Sequence, residues 1–425
     1  VNIDETLSRT ALLVQGDVFP ELTRRDIVRG LTSLDVRLAA DAATAGCAAG
    51  QTALTTALMA VAQVGARVRL NVPDVAVASS QPPLRGTRLR QALLDLAGDL
   101  VLPASLSTDR VDLAFVFGDA SSGAAGEVFH VEAEPWLCRL QPEPGSGVRG
   151  EQPFGALLAG AAAGAESLRT SLRLIATRTG ARPLAEHNLA RPPAITLRLP
   201  ELPSTPIDLG AVDAISGGAI TNAALSALLR CPGLRCAMRV VDDDIAAESN
   251  LNRYGLLRRS ALGQPKVAML KSFATQDVSI EPLDARFAEA SLSAVLPLAQ
   301  RVLVGVDDIP SRWLVSRHAP NWVCVAGTTH FAAIVSEHIP SGPCAGCLHP
   351  VDDPGNQQIP TVSFVSALAG FLQAYRLVAH GHGVAPAPPV LASPFNLAAP
   401  RALARVGLAA RADCPVGCQA SLALR

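Results

Sequence analysis

The chain has 425 residues, 49% of them hydrophobic and 17% charged, enough for two or three domains with real cores and too apolar for disorder to dominate. A formal net charge of −1 gives no electrostatic footprint for nucleic acid or an anionic membrane, so neither is expected as a partner. The apolar runs are Ala-rich, short and broken by Gly, Pro or Arg, so no membrane span is expected.

The first residues, VNIDETLSRT, lack the basic start and apolar centre of a secretory signal. Apolar patterning then predicts a strand over 34–41, a helix over 51–65, strands over 66–75 and 111–120, and an Ala-rich helix over 154–176. QPEPGSGVRGEQP (141–153) reads as a loop, and the Pro-rich stretch 189–208 as a linker. The expected organisation is one domain over 1–190, a linker over 191–206 and a second domain over 207–425. That second part predicts a strand over 207–215, a helix over 221–229, and strands over 234–244, 301–308 and 322–328. This alternation argues for an α/β protein with mostly parallel sheets. Pairing VDLAFVFGDA (111–120) with RVLVGVDDIP (301–310) points to one unit used twice.

Where a parallel strand gives way to a helix, backbone N–H groups and the helix dipole make an anion site. ISGGAIT places Ser216, Gly217, Gly218 and Thr221 at such a junction. The next strand ends at Asp242, placed to hydrogen-bond a ribose hydroxyl. Asn250, Asn252, Arg253 and Lys266 follow. Two cations and two amides suit a triphosphate rather than a nicotinamide cofactor. Asp307 closes a later strand at the same sheet edge, where a carboxylate could hold Mg²⁺. The chain has two lysines, Lys266 and Lys271; the first is expected on phosphate, the second on the surface.

These residues resemble the ThiF/MoeB and ubiquitin-activating-enzyme superfamily, whose members read Asp-x-Asp, Asn-Leu-Asn-Arg, Gly-x-x-Lys, then a late Asp with Arg five residues on. Here these are Asp242 to Asp244, Asn250 to Arg253, Gly263 to Lys266, and Asp307 with Arg312. The resemblance implies two Rossmann-like adenylation-type units, the first inactive and the second active, with a zinc-binding element. It implies that Asp242 holds the ribose, that Asp244 belongs to the ATP site, that Asn252, Arg253 and Lys266 bind and polarise the triphosphate, and that Asp307 holds Mg²⁺. The first half has CAAGQTALTTAL (47–58) at the glycine-loop position but no Asn-x-Asn-Arg and no lysine. The family also carries an N-terminal arginine that reaches a partner's ATP site, which implies that role for Arg9.

Nine cysteines, an odd number, fit reduced thiols and a cytoplasmic location. Cys344 and Cys347 in SGPCAGCLHP, with Cys414 and Cys418 in ADCPVGCQA, suit a closed tetrahedral Zn²⁺ site. His349 is a rival ligand, and a disulfide the alternative. Thioester-forming relatives carry a nucleophilic cysteine after the first zinc pair. The stretch VDDPGNQQIPTVSFVSALAGFLQA (351–374) reads as that loop and holds none. Cys324 reads as a buried strand residue, Cys231 and Cys236 as flanking a turn distant from the phosphates, and Cys47 and Cys138 belong to the first half.

The leading expectation is ATP-dependent adenylation of a ubiquitin-like protein's C-terminal Gly, with transfer to the acceptor thiol of a conjugating enzyme. The first half resembles that of bacterial activating enzymes found beside a conjugating enzyme and a deubiquitinase, which implies an antiviral conjugation system. A homodimer, as in smaller relatives, stays open. So do adenylation of a peptide carboxylate in modified-peptide biosynthesis and a non-catalytic leader-peptide-binding module.

Overall fold

Strands whose residues are apolar at nearly every position build the centre of two sheets. Val111–Phe117 buries six of its seven residues, the pattern of a strand covered on both faces. The computed structural model describes residues 2–78, 81–185, 187–318, 320–352, 360–393 and 403–418. The first half runs α1 (Ile3–Thr6), α2 (Ser8–Asp17), α3 (Arg24–Leu31), β1 (Asp35–Ala40), α4 (Ala42–Gly46), α5 (Ala48–Gln63), β2 (Arg67–Asn71), α6 (Leu89–Gly98), β3 (Val111–Phe117), β4 (Ala125–Glu134), β5 (Leu137–Gln141), α7 (Phe154–Thr179) and β6 (Ile195–Arg198). The second half begins with β7 (Ile207–Ile215), α8 (Ala219–Leu228), β8 (Leu234–Val241), α9 (Lys266–Lys271), β9 (Val278–Leu283), β10 (Arg301–Val304) and α10 (Ile309–Arg317). It closes with β11 (Trp322–Thr329), β12 (Ala332–His338), α11 (Ala345–Leu348), α12 (Ser363–Gly381), β13 (Val390–Ala392) and β14 (Leu403–Arg405).

The second sheet has the order β14-β13-β12-β11-β10-β7-β8-β9, and the first β2-β1-β3-β4-β5-β6. In each, the first strand of the half, β7 or β1, lies between its parallel successor and a later parallel strand. In each, the parallel core continues into antiparallel strands, through β12 or β5. The two sheets therefore share a Rossmann-like core, with a strand-order reversal at β7/β10 and at β1/β3, where such folds bind ligands. The first sheet has no counterpart of β9.

The elements differ from the sequence expectations where local patterning was weak. Ile195–Arg198 lies inside the stretch expected as a linker, yet it pairs antiparallel with β5 as an edge strand. Its inward residues Ile195 and Leu197 are buried and the alternate ones exposed. The loop expected over 351–374 becomes helical at Ser363, because Phe364, Val365, Leu368, Phe371 and Leu372 fall on a helical apolar stripe; residues 353–359 lie outside the described part. β10 ends at Val304 rather than 308, so Asp307 stands in the loop beyond it.

Helices join the halves. α5 and α7 pack together in the first half, α8 and α12 in the second, and α7 crosses onto α12. Glycine permits the closest approaches. A Cβ at Gly164 would stand 2.7 Å from Ala60 Cβ and 3.2 Å from Phe364 Cβ, and one at Gly370 would stand 2.3 Å from the Ile220 carbonyl oxygen. The latter neighbour is backbone and cannot rotate away. Gly370→Val is therefore expected to destabilise the protein by about 1–3 kcal/mol, read as a lower calorimetric unfolding midpoint; an unchanged midpoint would show that α8 and α12 can separate freely.

Candidate active site

The strand-order reversal of the second sheet opens a cleft of about 300 Å³. β7 ends at Ile215, and Ser216 follows with φ 92°, a left-handed conformation that a non-glycine residue adopts only under surrounding constraint. The constraint is visible: Asp242 Oδ2 accepts from Gly217 N–H at 2.6 Å and from Ser216 Oγ at 3.3 Å, while Ser216 Oγ accepts from Gly218 N–H at 3.0 Å. Asn222 Nδ2 donates to the Gly217 and Gly218 carbonyls from the far side. A Cβ at Gly217 would stand 3.3 Å from Lys266 Cβ and 3.4 Å from Asp242 Cβ, so glycine there lets two charged residues close on the turn. Gly218, just before α8, gives the helix no side-chain cap, which leaves its first N–H groups facing the cleft.

Asp242, Asp244, Arg253, Lys266, Asp307, Gly218 and Arg9 all line this cleft. Arg9 comes from α2, so the first half of the same chain supplies it. Lys266 is 6% exposed and holds Asp244 Oδ2 at 2.5 Å, with Asp242 Oδ1 at 3.9 Å. Burial alone would pull its ammonium down, but Tyr254, Asp242 and Asp244 outweigh that and hold it above the ordinary lysine value. Lys266 is thus cationic, as phosphate binding needs. Arg253 is buried; its Nη1 donates to Ser249 O at 2.7 Å and Asn252 Oδ1 at 2.8 Å. Burial lowers its pKa, Arg9 adds to that effect, and Tyr254 and Asp307 oppose it. Two guanidinium groups near each other in a buried wall favour an anionic ligand. Lys271 is exposed at the end of α9.

The two amides stand behind the cleft. Asn250 Oδ1 accepts from Ala247 N–H at 2.9 Å and closes the short turn that carries Arg253. Asn252 is fully buried, next to Thr10 Oγ1 at 3.5 Å. Both brace the arginine. Asp307 is exposed at the cleft, and the neighbouring Asp308 caps α10 by accepting from Ser311 N–H at 2.7 Å. Buried Arg312 holds this loop through Val306 O, at 2.8 Å from Nη2, and meets His349 Nε2 at 2.9 Å. Tyr254, Arg286, Thr328, Thr361 and Ser366 also line the cleft and were missed in the sequence. Tyr254 had its position beside Arg253 as a signal. The others arrive from separate strand and helix ends with no local motif.

At the corresponding reversal of the first sheet, neighbouring loops close on Asp41 and Gly118. Asp41, just after β1, accepts from Thr44 N–H and Asp119 N–H, each at 2.7 Å. A Cβ at Gly118, whose φ is 75°, would stand 2.2 Å from Asp41 Oδ2, and Gly147 packs against Gly118.

Away from the cleft, the Sγ atoms of Cys344, Cys347, Cys414 and Cys418 all lie within 4.8 Å of one another. Cys344–Cys414 and Cys347–Cys418 are 3.4 and 3.3 Å apart, too far for a disulfide and close to the roughly 3.8 Å between thiolates on a tetrahedral cation at Zn–S distances. A Cβ at Gly346 would stand 3.1 Å from Cys414 Sγ, so the glycine admits the second knuckle. His349 is engaged with Arg312 and stands outside this group. No cysteine lines the cleft among the described residues. Burial pushes the thiols of Cys138, Cys231 and Cys236 up to about 12, and that of Cys324 well above its ordinary value. Cys47 is half-buried at the start of α5.

Residues 217–409 match the model of the ThiF family. The chain is 32% identical over 128 residues to the SAMP-activating enzyme E1 of Haloferax volcanii, a match covering 27% of this chain and 46% of that enzyme. It is 26% identical over 333 residues to the uncharacterized protein y4jF of Sinorhizobium fredii, covering 77% of this chain and 62% of that protein. It thus spans less than two thirds of either relative's length. The crystal structure of E. coli MccB with succinimide superposes with a TM-score of 0.42 at 16% identity, over 48% of this chain and 66% of that one. Among the described residues, no helix is long and apolar enough to cross a membrane.

The thiol environments make an expectation of their own. Brief alkylation of native protein at pH 8, read by peptide mass spectrometry, should modify Cys47 ahead of Cys138, Cys231, Cys236 and Cys324; early loss of Cys324 would contradict its burial in β11.

Proposed function

For a chain whose residues 217–409 are a ThiF-family domain, we propose that it is an adenylyltransferase that activates the C-terminal carboxylate of a ubiquitin-like protein with ATP. The observation that carries this reading is the convergence of Arg9, Arg253, Lys266 and Asp307 on one cleft beside an uncapped helix start. In this reading the carboxylate oxygen attacks the α-phosphorus, the bond from that phosphorus to the bridging oxygen breaks, and pyrophosphate leaves with its electron pair. The acyl-adenylate stays behind. Arg253, Lys266 and Arg9 stabilise charge building on the phosphates. Asp307 is the carboxylate that would hold Mg²⁺, which neutralises phosphate charge when bound.

In this reading Asp242 holds the ribose and Asp244 also meets the nucleotide, so ATP must draw Lys266 away from Asp244. The first half, which has no Asn-x-Asn-Arg run and no lysine, is a pseudo-adenylation unit in this proposal and contributes Arg9. Asn250 and Asn252 act by holding Arg253. With no cysteine lining the cleft, the acyl-adenylate is the main product on this chain and passes to the thiol of a conjugating partner. We place the reaction in the cytoplasm and within a bacterial conjugation system of the antiviral kind. A homodimer is not required, because Arg9 reaches the site from the same chain.

Exchange of labelled pyrophosphate into ATP, dependent on a ubiquitin-like protein ending in Gly, tests the activity. Lys266→Ala and Asp307→Ala should each lower exchange by about 100-fold or more with the fold intact, and Arg9→Ala should lower it less; exchange retained in both of the first two variants would remove the assignment. Exchange driven by a short peptide carboxylate instead would move the substrate to modified-peptide chemistry.

The cysteine cluster fits a structural Zn²⁺ on Cys344, Cys347, Cys414 and Cys418, tying the segment that bears Cys414 and Cys418 to α11. Protein purified without added zinc is expected to hold about one equivalent by elemental analysis, and Cys414→Ser to lose both metal and thermal stability. A metal content near zero in stable protein would sink this part of the proposal.

A further inference from the structure

Among the described residues, Tyr254 has a hydroxyl with no hydrogen-bond partner, and it opens onto the cleft. Its ring is buried, with the residue 4% exposed, held through backbone bonds at both ends: its N–H donates to Asn250 O at 3.0 Å, and its carbonyl accepts from Gln63 Nε2 at 3.2 Å. Buried tyrosines place the O–H on an acceptor in the great majority of cases. Here, among the described residues, Oη has no hydrogen-bond partner, while the residue lines the cleft. A Cβ at Gly218 would lie 3.7 Å from Oη, so the phenol oxygen overhangs the uncapped start of α8.

The surroundings specify what the hydroxyl awaits. The Arg253 guanidinium carbon is 5.4 Å and the Lys266 ammonium 5.7 Å from the centre of the same ring. One aromatic face system thus steadies both cations. Free donors at the α8 start, two cations and an unbonded O–H converge on one volume, and a ligand there must be rich in acceptors and negative charge.

We propose that the Tyr254 hydroxyl donates a hydrogen bond to a phosphate oxygen of the bound nucleoside triphosphate, and that its ring sets the positions of Arg253 and Lys266. This role rests on the ATP-activating reading above. It makes Tyr254 a phosphate-binding residue that selects nucleotide over nucleoside.

The test compares the wild-type chain with Tyr254→Phe, which keeps the ring and removes only the O–H. Calorimetric titrations with Mg²⁺–ATP and with adenosine measure binding without chemistry, and circular dichroism checks the fold. A hydrogen bond to a charged acceptor predicts ATP dissociation constants raised about 10-fold or more in the variant, with adenosine affinity unchanged. Equal ATP affinity in the two proteins overturns the role. Parallel loss of ATP and adenosine affinity also overturns it, since a purely structural contact would weaken both. Wild-type protein that binds adenosine and ATP equally would overturn the adenylating reading and the role together, whereas phosphate-dependent wild-type binding that Tyr254→Phe leaves intact would remove the role alone.

Discussion

The carboxylate of Asp242 is the contact on which the second half depends. It accepts the N–H of Gly217 across the gap between the ends of β7 and β8 and the N–H of Asp244 on its other oxygen. It also stands opposite Lys266. A buried carboxylate would be expensive if it lacked such donors. With them it holds Ser216 in its left-handed conformation and aims α8 at the cleft. A change at Asp242 would therefore disturb the glycine turn, the start of α8 and the lysine at once.

The first half supports the same cleft from behind. Gln63 at the end of α5 donates to the carbonyls of Leu251 and Tyr254, which flank Arg253 in the chain. Arg258 holds Asp99 at 2.6 Å, and Arg259 donates to Leu100 O. Arg230, at the end of α8, donates to Ser226 O and also reaches Pro82 O and Gln81 Oε1 in the first half. The segment 250–259 has little regular structure of its own. Its geometry comes from these contacts, with Arg9 added from α2. The first half thus fixes the segment that carries Arg253, through contacts that local sequence does not supply.

The cysteine cluster stands in a different part of the second half. It joins the segment after β12 to the segment after β14, and Arg317 of α10 reaches Pro415 O. α10 begins directly beyond Asp307. Order in the cluster therefore reaches the cleft through one short helix, with Arg312 on its inner face holding Val306. This gives a mechanical link between the cysteine cluster and the cleft, although no cysteine lines the cleft among the described residues.

Much of this was legible in the sequence because it is local. The alternation of apolar runs gave two α/β units, and strands such as β3 and β7 fell where β-branched residues cluster. The spacing from Asp242 to Lys266 brought out the cleft residues, and paired cysteines the four-thiol cluster. What the sequence could not separate was which polar residue faces the cleft and which braces it. Asn250 and Lys266 look equally chemical in a motif, yet one closes a turn and the other meets Asp244. Nor could it show that β6 leaves the linker to join a sheet, or that Thr361 and Ser366 line the same cleft as Asp242 from over a hundred residues away. Spacing along the chain reports secondary structure and shared faces. The burial of a polar group, its hydrogen-bond partners and its distance from a cation depend on contacts between remote segments, and only the packed fold decides those.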